Sequence, residues 1–334
     1  MASTSNLQPH PPASQSDKAA LLRDLVVEQV LASSADGILF SGGLDTSILA
    51  TVAAAHGRRL QAIMVSVDEG IGLDEPFALL MADRLGMQLE ILRPTLSQLL
   101  DRMPELIRML HTFDPMELRN SIVTYLALEA AARHSLRTVL TGDAADELFA
   151  GYSFMVGKSP GELPSYIKHL NDVMHFTSPV IGRSLGVAVD IPYLGQAIRQ
   201  FALSLIYEDL VNDHEGRRFG KKILRRAFSD LLPAEIAWRV KTPIECGSGS
   251  TALKDRAEQS VSETEFEQER KRIFKLDSVK LRDREQFFFY RIYRSLFSAP
   301  GEGSGAEKRC RECLGPLPRP DSSYCRICGA YPAQ

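Results

Sequence analysis

Apolar runs alternate with segments of helical spacing along the first half of the chain. The runs at residues 37–41, 60–68 and 138–143 predict buried strands. The segments between them repeat apolar residues at helical spacing and predict helices, at residues 46–57, 74–86 and 116–135. This alternation predicts an α/β fold, a parallel sheet with helices on both faces. In such sheets, ligands bind beyond the carboxyl ends of the strands.

The second half of the chain has a mostly helical pattern. Helix starts are expected near Pro164 and Pro233, and a last helix is expected at residues 283–297. We expect this helical half to pack on the sheet. A segment rich in Gly and Ser follows at residues 298–308, and its composition predicts a flexible linker before a Cys-rich tail.

Composition and charge exclude several classes of protein. The 334 residues are 44% hydrophobic and 24% charged, which is enough to bury a sizeable core. The formal net charge of −3 gives no global attraction to nucleic acid or to an anionic membrane. No apolar run is long enough to span a bilayer, and residues 1–20 are polar, without a signal core. We expect a soluble, cytoplasmic protein with a disordered N-terminus.

The sequence SGGLDTS at residues 41–47 follows a predicted strand and starts a predicted helix. Backbone N–H groups at such a turn can face an anion, so it is a candidate phosphate loop. Its glycines allow close approach of the backbone, its hydroxyls add donors, and it has no Walker A lysine. An aspartate beside a phosphate indicates a cation between them. The candidate residues are Ser41, Gly42, Gly43, Asp45, Thr46 and Ser47. The alternative is an ordinary turn capped by Thr46.

A second candidate, TGDAADELFAGY at residues 141–152, also follows a predicted strand. It crowds Asp143, Asp146 and Glu147 into five positions, where carboxylates repel one another unless a cation, a proton or an ammonium group relieves them. Oxygen ligands of this kind suit Mg²⁺. Asp45 and Asp146 are therefore predicted to hold one Mg-pyrophosphate. An acidic helix start, favoured by the helix dipole, is the alternative for Glu147.

These motifs resemble the synthetase domain of glutamine-hydrolysing asparagine synthetases, which belong to the N-type ATP pyrophosphatases, or PP-loop enzymes. The resemblance runs from Asp36 to Phe297 and includes the segments TFDPMELRNSIVTYL, LGVAVDIPYLGQAIRQFALSL and GKKILRRAFSDLLPAEIAWRVKTPIECGSG. It implies a PP-loop fold in which ATP activates a carboxylate as an acyl-adenylate. Pyrophosphate leaves, and an amine then displaces AMP.

The resemblance also implies roles for individual residues. Lys241 matches a lysine that neutralises charge on the α-phosphate, and Lys221 matches the lysine of the GK.ILR segment. The alternative for Lys241 is a solvated surface residue. Positions that frame the nucleotide are matched by Phe40, Val67, Thr141 and Gly142. Lys221 also belongs to a basic cluster whose possible roles are RNA binding, support of the site or surface exposure: Arg217, Arg218, Lys222, Arg225 and Arg226.

Departures from the family leave both substrates open. Asp143 replaces a glutamate that is proposed to handle a proton, which keeps the carboxylate but shortens its reach. Ala188, Asp190 and Gly195 replace charged family residues on the substrate side, so the identity of the carboxylate is open. Residue 2 is Ala2, where glutaminase relatives have a nucleophilic cysteine. We therefore expect the amine to be ammonia, the product of a separate amidotransferase, or another amine.

Four cysteines in the tail form two Cys-x₂-Cys pairs, Cys310 with Cys313 and Cys325 with Cys328. This spacing predicts a structural zinc ribbon, with an iron–sulfur cluster or disulfides as alternatives. The ribbon is also a candidate for contact with a protein partner. Four regions are therefore predicted: a disordered N-terminus at 1–20, a synthetase-like domain at 21–299, a linker at 300–309 and the ribbon at 310–334.

Two functions follow from these observations. The first is an ATP-dependent amide-forming ligase that uses ATP, Mg²⁺, a small carboxylate and an amine. The alternative is a PP-loop enzyme that adenylates an RNA base, with the ribbon as an RNA grip. A non-catalytic relative is a third possibility, and the presence of Asp45, Asp146 and Lys241 argues against it.

Overall fold

The computed structural model describes residues 15–302, 308–319 and 321–334. The strands are β1 (Gly37–Leu39), β2 (Gln61–Val65), β3 (Leu89–Leu92), β4 (Thr138–Leu140), β5 (Ala188–Asp190), β6 (Asn212–His214) and β7 (Arg217–Phe219). The helices are α1 (Gln15–Ala32), α2 (Leu44–Ala55), α3 (Glu75–Leu85), α4 (Leu96–Leu110), α5 (Pro115–Arg133), α6 (Ala145–Leu148), α7 (Ser153–Val156), α8 (Glu162–Val173), α9 (Ser178–Leu185), α10 (Gln196–Leu203), α11 (Tyr207–Leu210), α12 (Lys222–Phe228), α13 (Ala234–Ala237), α14 (Ile244–Ser248), α15 (Ala252–Gln259), α16 (Glu263–Asp277) and α17 (Arg284–Leu296), with a 3-10 turn at Pro192–Leu194.

The first five strands form one parallel sheet in the order β3-β2-β1-β4-β5. The central strand β1 pairs with β2 and β4 on its two sides, so Ile38 lies beside both Ala62 and Leu140. The predicted parallel sheet is confirmed, but β3 and β5 were not predicted. Both are edge strands whose residues are only partly buried, and they lack the continuous apolar run of a central strand.

The described residues group into two compact units. The sheet unit contains residues 34–141, 175–190 and 242–334, and the helical unit contains residues 15–33, 142–174 and 191–241. The helical half expected at residues 160–300 is therefore divided between the two units. Within the sheet unit, α5 packs on β1, β2 and α4, and its start is fixed by the N-cap Asp114 and by Pro115.

The direction of the strands sets the direction of the helices before them. Helix α5 packs on β1 and β2 and leads into β4, and helix α9 packs on β5 and leads into it. A helix that leads into a parallel strand returns the chain from the carboxyl edge of the sheet to the amino edge. The N-terminal ends of both helices therefore lie at the carboxyl edge of the sheet. The loop at residues 41–47 follows β1 and lies at the same edge.

The helical unit is organised by α1. Ala19, Leu22, Val26 and Val30 are buried at helical spacing and form the face that packs on α10 and α12. The prediction of a disordered segment at residues 1–20 is wrong for residues 15–20, which form the start of this helix because its apolar stripe already begins there. The remainder of that segment lies outside the described residues.

The Cys-rich tail is part of the sheet unit and packs against the start of α5 and against α17, whereas the predicted flexible linker suggested a separate ribbon. The backbone N–H of Phe113 donates to Ile327 O at 2.8 Å, and the amide of Gln286 donates to Cys328 O at 2.8 Å. The hydroxyl of Tyr324 donates to Asp114, the N-cap of α5. The four cysteines lie in one buried cluster with the aromatic residues of α17. Much of the predicted linker lies outside the described residues.

Among the residues with described structure, no helix combines the length and the apolarity that a membrane span requires.

We predict that the tail contributes directly to the stability of the sheet unit. Tyr324→Phe removes the hydroxyl that donates to the Asp114 carboxylate and should lower the free energy of unfolding by about 1 to 2 kcal/mol. Tyr331→Phe is the matched control, because Tyr331 lies in the same tail and is 76% exposed. Urea unfolding monitored by circular dichroism measures both variants.

Truncation after Phe297 should have a larger effect, because it uncovers side chains of α17 and the segment before α5. Equal unfolding midpoints for the truncated and intact chains would show that the tail is an independent module.

Candidate active site

The loop that follows β1 has the geometry of an anion-binding turn. Gly43 is the N-cap of α2, and its backbone N–H donates to Ser41 Oγ at 3.2 Å. The hydroxyls of Ser41 and Thr46 lie 3.3 Å apart. The hydroxyl of Ser47 is buried and has no hydrogen-bond partner among the described residues. Asp45 lies in the first turn of α2 and is partly exposed.

Gly42 is the position that fixes the path of this loop. Its φ of 63° lies in the left-handed region, and a Cβ atom at this position would approach Ala78 N to 2.2 Å. The start of α3 therefore packs directly on the backbone of the loop. No other residue type fits this position without moving α3.

The other predicted nucleotide-framing residues of the sheet unit also follow strand ends. Phe40, Val67 and Thr141 come directly or closely after β1, β2 and β4, which are neighbours in the sheet. Each is buried, and Thr141 donates its N–H to Asp190 O at the end of β5. The sheet order thus brings these residues to one edge. Gly142 begins the next segment, which belongs to the helical unit.

A buried carboxylate held by two lysines is the main electrostatic feature of the helical unit. Asp146 Oδ1 lies 2.6 Å from Lys221 Nζ, and Oδ2 lies 2.8 Å from Lys241 Nζ. Burial alone would raise the pKa of Asp146, but the two ammonium groups outweigh it and hold that pKa below its ordinary value. The side chain is therefore an anion at neutral pH. Three residues predicted from two separate segments meet here.

The backbone around this triad is tightly constrained. A Cβ atom at Gly151 would lie 1.8 Å from Asp146 Oδ1, so only glycine leaves room for the ion pairs. Lys221 has a φ of 56° and caps α12, and its N–H donates to Phe149 O at 2.8 Å. Ala144 and Ala150 also have positive φ values, of 72° and 59°, in the left-handed region that favours glycine. The segment keeps this backbone path with alanine at both positions.

Two more carboxylates accompany Asp146 in the same segment. Glu147 accepts a hydrogen bond from Tyr152 Oη at 2.6 Å. Burial raises the pKa of Glu147, and the charges of Asp146 and Asp143 raise it further. Asp143 is half-buried. The crowding of acidic groups predicted from the sequence is therefore real, and lysines relieve it at Asp146.

The basic cluster is mostly engaged in contacts within the helical unit. Arg225 is buried, donates to Gly220 O at 2.9 Å and lies over the ring of Trp238. Lys222 donates to Glu208 O, and Arg226 donates to Gln15 Oε1. Arg218 lies 3.5 Å from Asp213. These contacts make the cluster part of the fold around Lys221, while Arg217 is exposed.

The four tail cysteines form a site that could hold one metal ion. Their Sγ atoms lie within 4.8 Å of one another, and Cys310–Cys328 and Cys313–Cys325 are each 3.7 Å apart. These separations are too long for disulfides. The N–H of Glu312 donates to Cys310 Sγ, and the N–H of Gly315 donates to Cys313 Sγ, both at 3.4 Å, as expected when a thiolate carries charge. Cys246 lies apart from this site.

Sequence reasoning missed a buried ion network on α5. Arg119 lies 2.7 Å from Glu245 and 2.5 Å from Glu285, which ties α5 to α14 and α17. Burial alone would lower the pKa of Arg119, but the two carboxylates raise it, so the guanidinium stays charged. The signal available in the sequence was a charged residue on the buried face of a predicted helix. A buried arginine requires a carboxylate partner, but the sequence does not show which carboxylate lies beside it.

Comparison with known proteins identifies the family. A family model described as asparagine synthase matches residues 18–164 and 167–315. The chain is 27% identical to a probable glutamine-hydrolysing asparagine synthetase of Dictyostelium discoideum over 86% of this chain and 55% of that protein. It is 25% identical to asparagine synthetase B of Escherichia coli, over 84% of this chain and 53% of that protein. The chain thus spans about half the length of these curated relatives.

Matches among solved structures include an NMN synthetase from Francisella tularensis, with 15% identity, a TM-score of 0.37 and coverage of 85% of this chain and 94% of that one. A U34-tRNA thiolase from Methanococcus maripaludis has 13% identity and a TM-score of 0.31, and the match covers 91% of this chain and 85% of that one.

The family match covers most of the chain and includes both the loop after β1 and the triad of Asp146, Lys221 and Lys241. The chain belongs to the asparagine synthase family.

Proposed function

We propose that this protein is an ATP-dependent amide-forming ligase. It activates a small carboxylate as an acyl-adenylate, releases pyrophosphate, and transfers the acyl group to ammonia or another amine. The observation that carries this proposal is the buried Asp146 carboxylate held between Lys221 and Lys241, since it combines fixed negative and positive charge in a segment of the family motif. Nucleotidyl transfer depends mainly on such positioned charges.

The loop after β1 is proposed to hold the pyrophosphate portion of ATP. Its backbone N–H groups, its hydroxyls and the N-terminus of α2 supply donors to phosphate oxygens. The unpartnered hydroxyl of Ser47 is one donor available for this role. Phe40, Val67 and Thr141 would border the adenosine at the same edge of the sheet unit.

Asp45 and Asp146 are proposed as ligands of Mg²⁺. Both side chains offer carboxylate oxygens, the type of ligand that Mg²⁺ takes in proteins, and Asp146 stays ionised while its two oxygens pair with Lys221 and Lys241. When bound, the ion would neutralise charge on the phosphates. Asp143 is proposed to accept a proton from the attacking amine, as its match to a family glutamate implies.

The two lysines have different roles in this proposal. Lys221 is 4% exposed and is fixed by the turn before α12, so it positions Asp146. Lys241 is 28% exposed, so part of its side chain stays accessible while its ammonium group pairs with Asp146. We propose that Lys241 stabilises the charge that develops on the α-phosphate.

The metal of the tail is proposed to be a single structural zinc ion. Zinc–sulfur bonds of about 2.3 Å in a tetrahedron place neighbouring sulfurs about 3.8 Å apart, close to the two observed 3.7 Å separations. A four-iron cluster would hold the thiolates farther apart, because four iron atoms separate them. The sites proposed for catalysis lie outside this cysteine site.

The contacts of Arg225 and Lys222 favour a structural role for part of the basic cluster, which supports the ligase over adenylation of an RNA base. Both side chains donate to carbonyl groups within the helical unit, whereas Arg217, Arg218 and Arg226 stay exposed.

The function is tested by ATP–pyrophosphate exchange with panels of carboxylates, and with total RNA as a separate sample. Asp45→Asn and Asp146→Asn should each reduce exchange by at least about 10²-fold, because each removes an anionic ligand. Glu162→Gln, at an exposed position on α8, is the control for the loss of one carboxylate. RNA-dependent exchange without any carboxylate-dependent exchange would favour the alternative function.

Lys241→Met should lower kcat by about 10² to 10³-fold, because it removes a transition-state charge. It should lower the melting temperature less than Lys221→Met does, because Lys241 is the more exposed of the two partners of Asp146. Lys221→Met should in addition lower the free energy of unfolding by on the order of 3 kcal/mol, since it deprives a buried carboxylate of its buried partner. Lys254→Met, on the exposed side of α15, is the control. A change confined to KM for ATP would make Lys241 a ground-state binder.

Metal analysis of the purified chain should give about one zinc per chain. Cys313→Ser should lose that zinc and Cys246→Ser should keep it. Iron and sulfide in anaerobically prepared protein would contradict the assignment.

A further inference from the structure

The N-terminal half of α5 carries a polar face that the proposed function has not used. Glu117, Asn120, Ser121 and Thr124 recur at the spacing of one helix face, on a helix whose other buried residues are apolar except for Arg119. Ser121 is 1% exposed, and the Asn120 side-chain oxygen is buried without a hydrogen-bond partner among the described residues. A buried acceptor without a partner is costly and indicates a missing donor.

The start of α9 borders this face. Thr177, the N-cap of α9, lies with its Oγ1 2.8 Å from Ser121 Oγ. Helices α5 and α9 begin at the carboxyl edge of the sheet, which is also the edge of the loop at residues 41–47. The polar face therefore lies at the end of the sheet unit where ligands of parallel sheets bind.

The tail places a positive charge beside this face. Ile327 O accepts from Phe113 N at 2.8 Å and from Thr112 Oγ1 at 3.1 Å, and Tyr324 donates to Asp114. Arg326 lies between these two anchored residues, and its guanidinium makes no ion pair or hydrogen bond within the described part of the chain. The tail thus fixes the backbone of Arg326 while its side chain stays available.

The electrostatic effects agree with this placement. Burial raises the pKa of Glu117, the charge of Asp114 adds to the increase, and Arg326 opposes it. Burial lowers the pKa of His175, and the charge of Arg326 lowers it further. Arg326 directly precedes Ile327, whose carbonyl is held by residues 112 and 113, so its charge lies near the start of α5 and acts on both Glu117 and His175.

We infer that Arg326 is a specificity-determining residue that pairs with a second anionic group of the substrate, distinct from the carboxylate that is activated. Asn120 and Glu117 accept hydrogen bonds from donor groups of the same molecule, and Ser121 and Thr177 line the space beside it. The inference rests on the proposed ligase function. It assigns the tail a part in substrate selection as well as in folding.

The two Cys-x₂-Cys pairs provide a matched control. Arg326 follows Cys325 as Arg311 follows Cys310, and both arginines are exposed. ATP–pyrophosphate exchange is measured with succinate, L-aspartate and L-glutamate, and with butyrate as a carboxylate that has no second anionic group. Arg326→Ala should raise KM for the best doubly anionic substrate by about 10 to 100-fold, with kcat and KM for ATP within about threefold. Arg311→Ala should change none of these values.

Arg326→Lys separates recognition from a structural role, because it keeps the charge. It should recover most of the lost affinity, and all three variants should keep their metal content and melting temperature. Exchange that proceeds with the same KM in Arg326→Ala and Arg311→Ala overturns this inference and leaves the proposed function intact. A KM increase that accompanies metal loss and is not recovered by lysine also overturns it. Exchange with no carboxylate at all overturns the proposed function and this inference together.

Discussion

The parallel pairing of β1 with β2 on one side and β4 on the other is the constraint on which the sheet unit depends. Because all three strands run in the same direction, the residues after each strand emerge at one edge. The glycine turn after β1, Val67 after β2 and Thr141 after β4 become neighbours for this reason alone. Gly42 then fixes the turn, since the start of α3 occupies the space that a Cβ atom would need.

A second constraint operates inside the helical unit. A carboxylate as buried as Asp146 is unstable unless positive charge compensates it, and Lys221 and Lys241 supply that charge from two segments distant in sequence. The need to place both ammonium groups at Asp146 also constrains the backbone. Gly151 has no side chain because the ion pairs fill the space, and Lys221 adopts a left-handed conformation to direct its ammonium group inward. Electrostatics and backbone geometry at this site therefore determine each other.

The tail shows how a short segment can depend on a larger one. Its cysteines are buried against the aromatic residues of α17, and its backbone accepts hydrogen bonds from the residues before α5. A segment of this length has little core of its own, so a metal ion and the surface of the sheet unit together hold it in place. The same contacts fix the backbone at Arg326 beside α5. The contacts that hold the folded tail in place therefore also position Arg326.

The sequence by itself determined the features that are encoded locally. The glycine turn after β1, the acidic segment after β4 and the two cysteine pairs are each contained in a few consecutive residues. The turn and the acidic segment could also be placed at strand ends, because the buried strands before them are continuous apolar runs. The family resemblance depended on the same local motifs. The general fold class followed from the alternation of strands and helices.

Only the tertiary structure decided the features that join distant residues. The edge strands β3 and β5 are too exposed to show a strand pattern, and their pairing with β2 and β4 defines them. The different burial of Lys221 and Lys241 depends on how each segment reaches Asp146, and sequence spacing contains no such information. The position of the tail beside Asp114 likewise joins residues about two hundred positions apart. Local patterns report what each segment can bury, whereas packing decides which partner it meets.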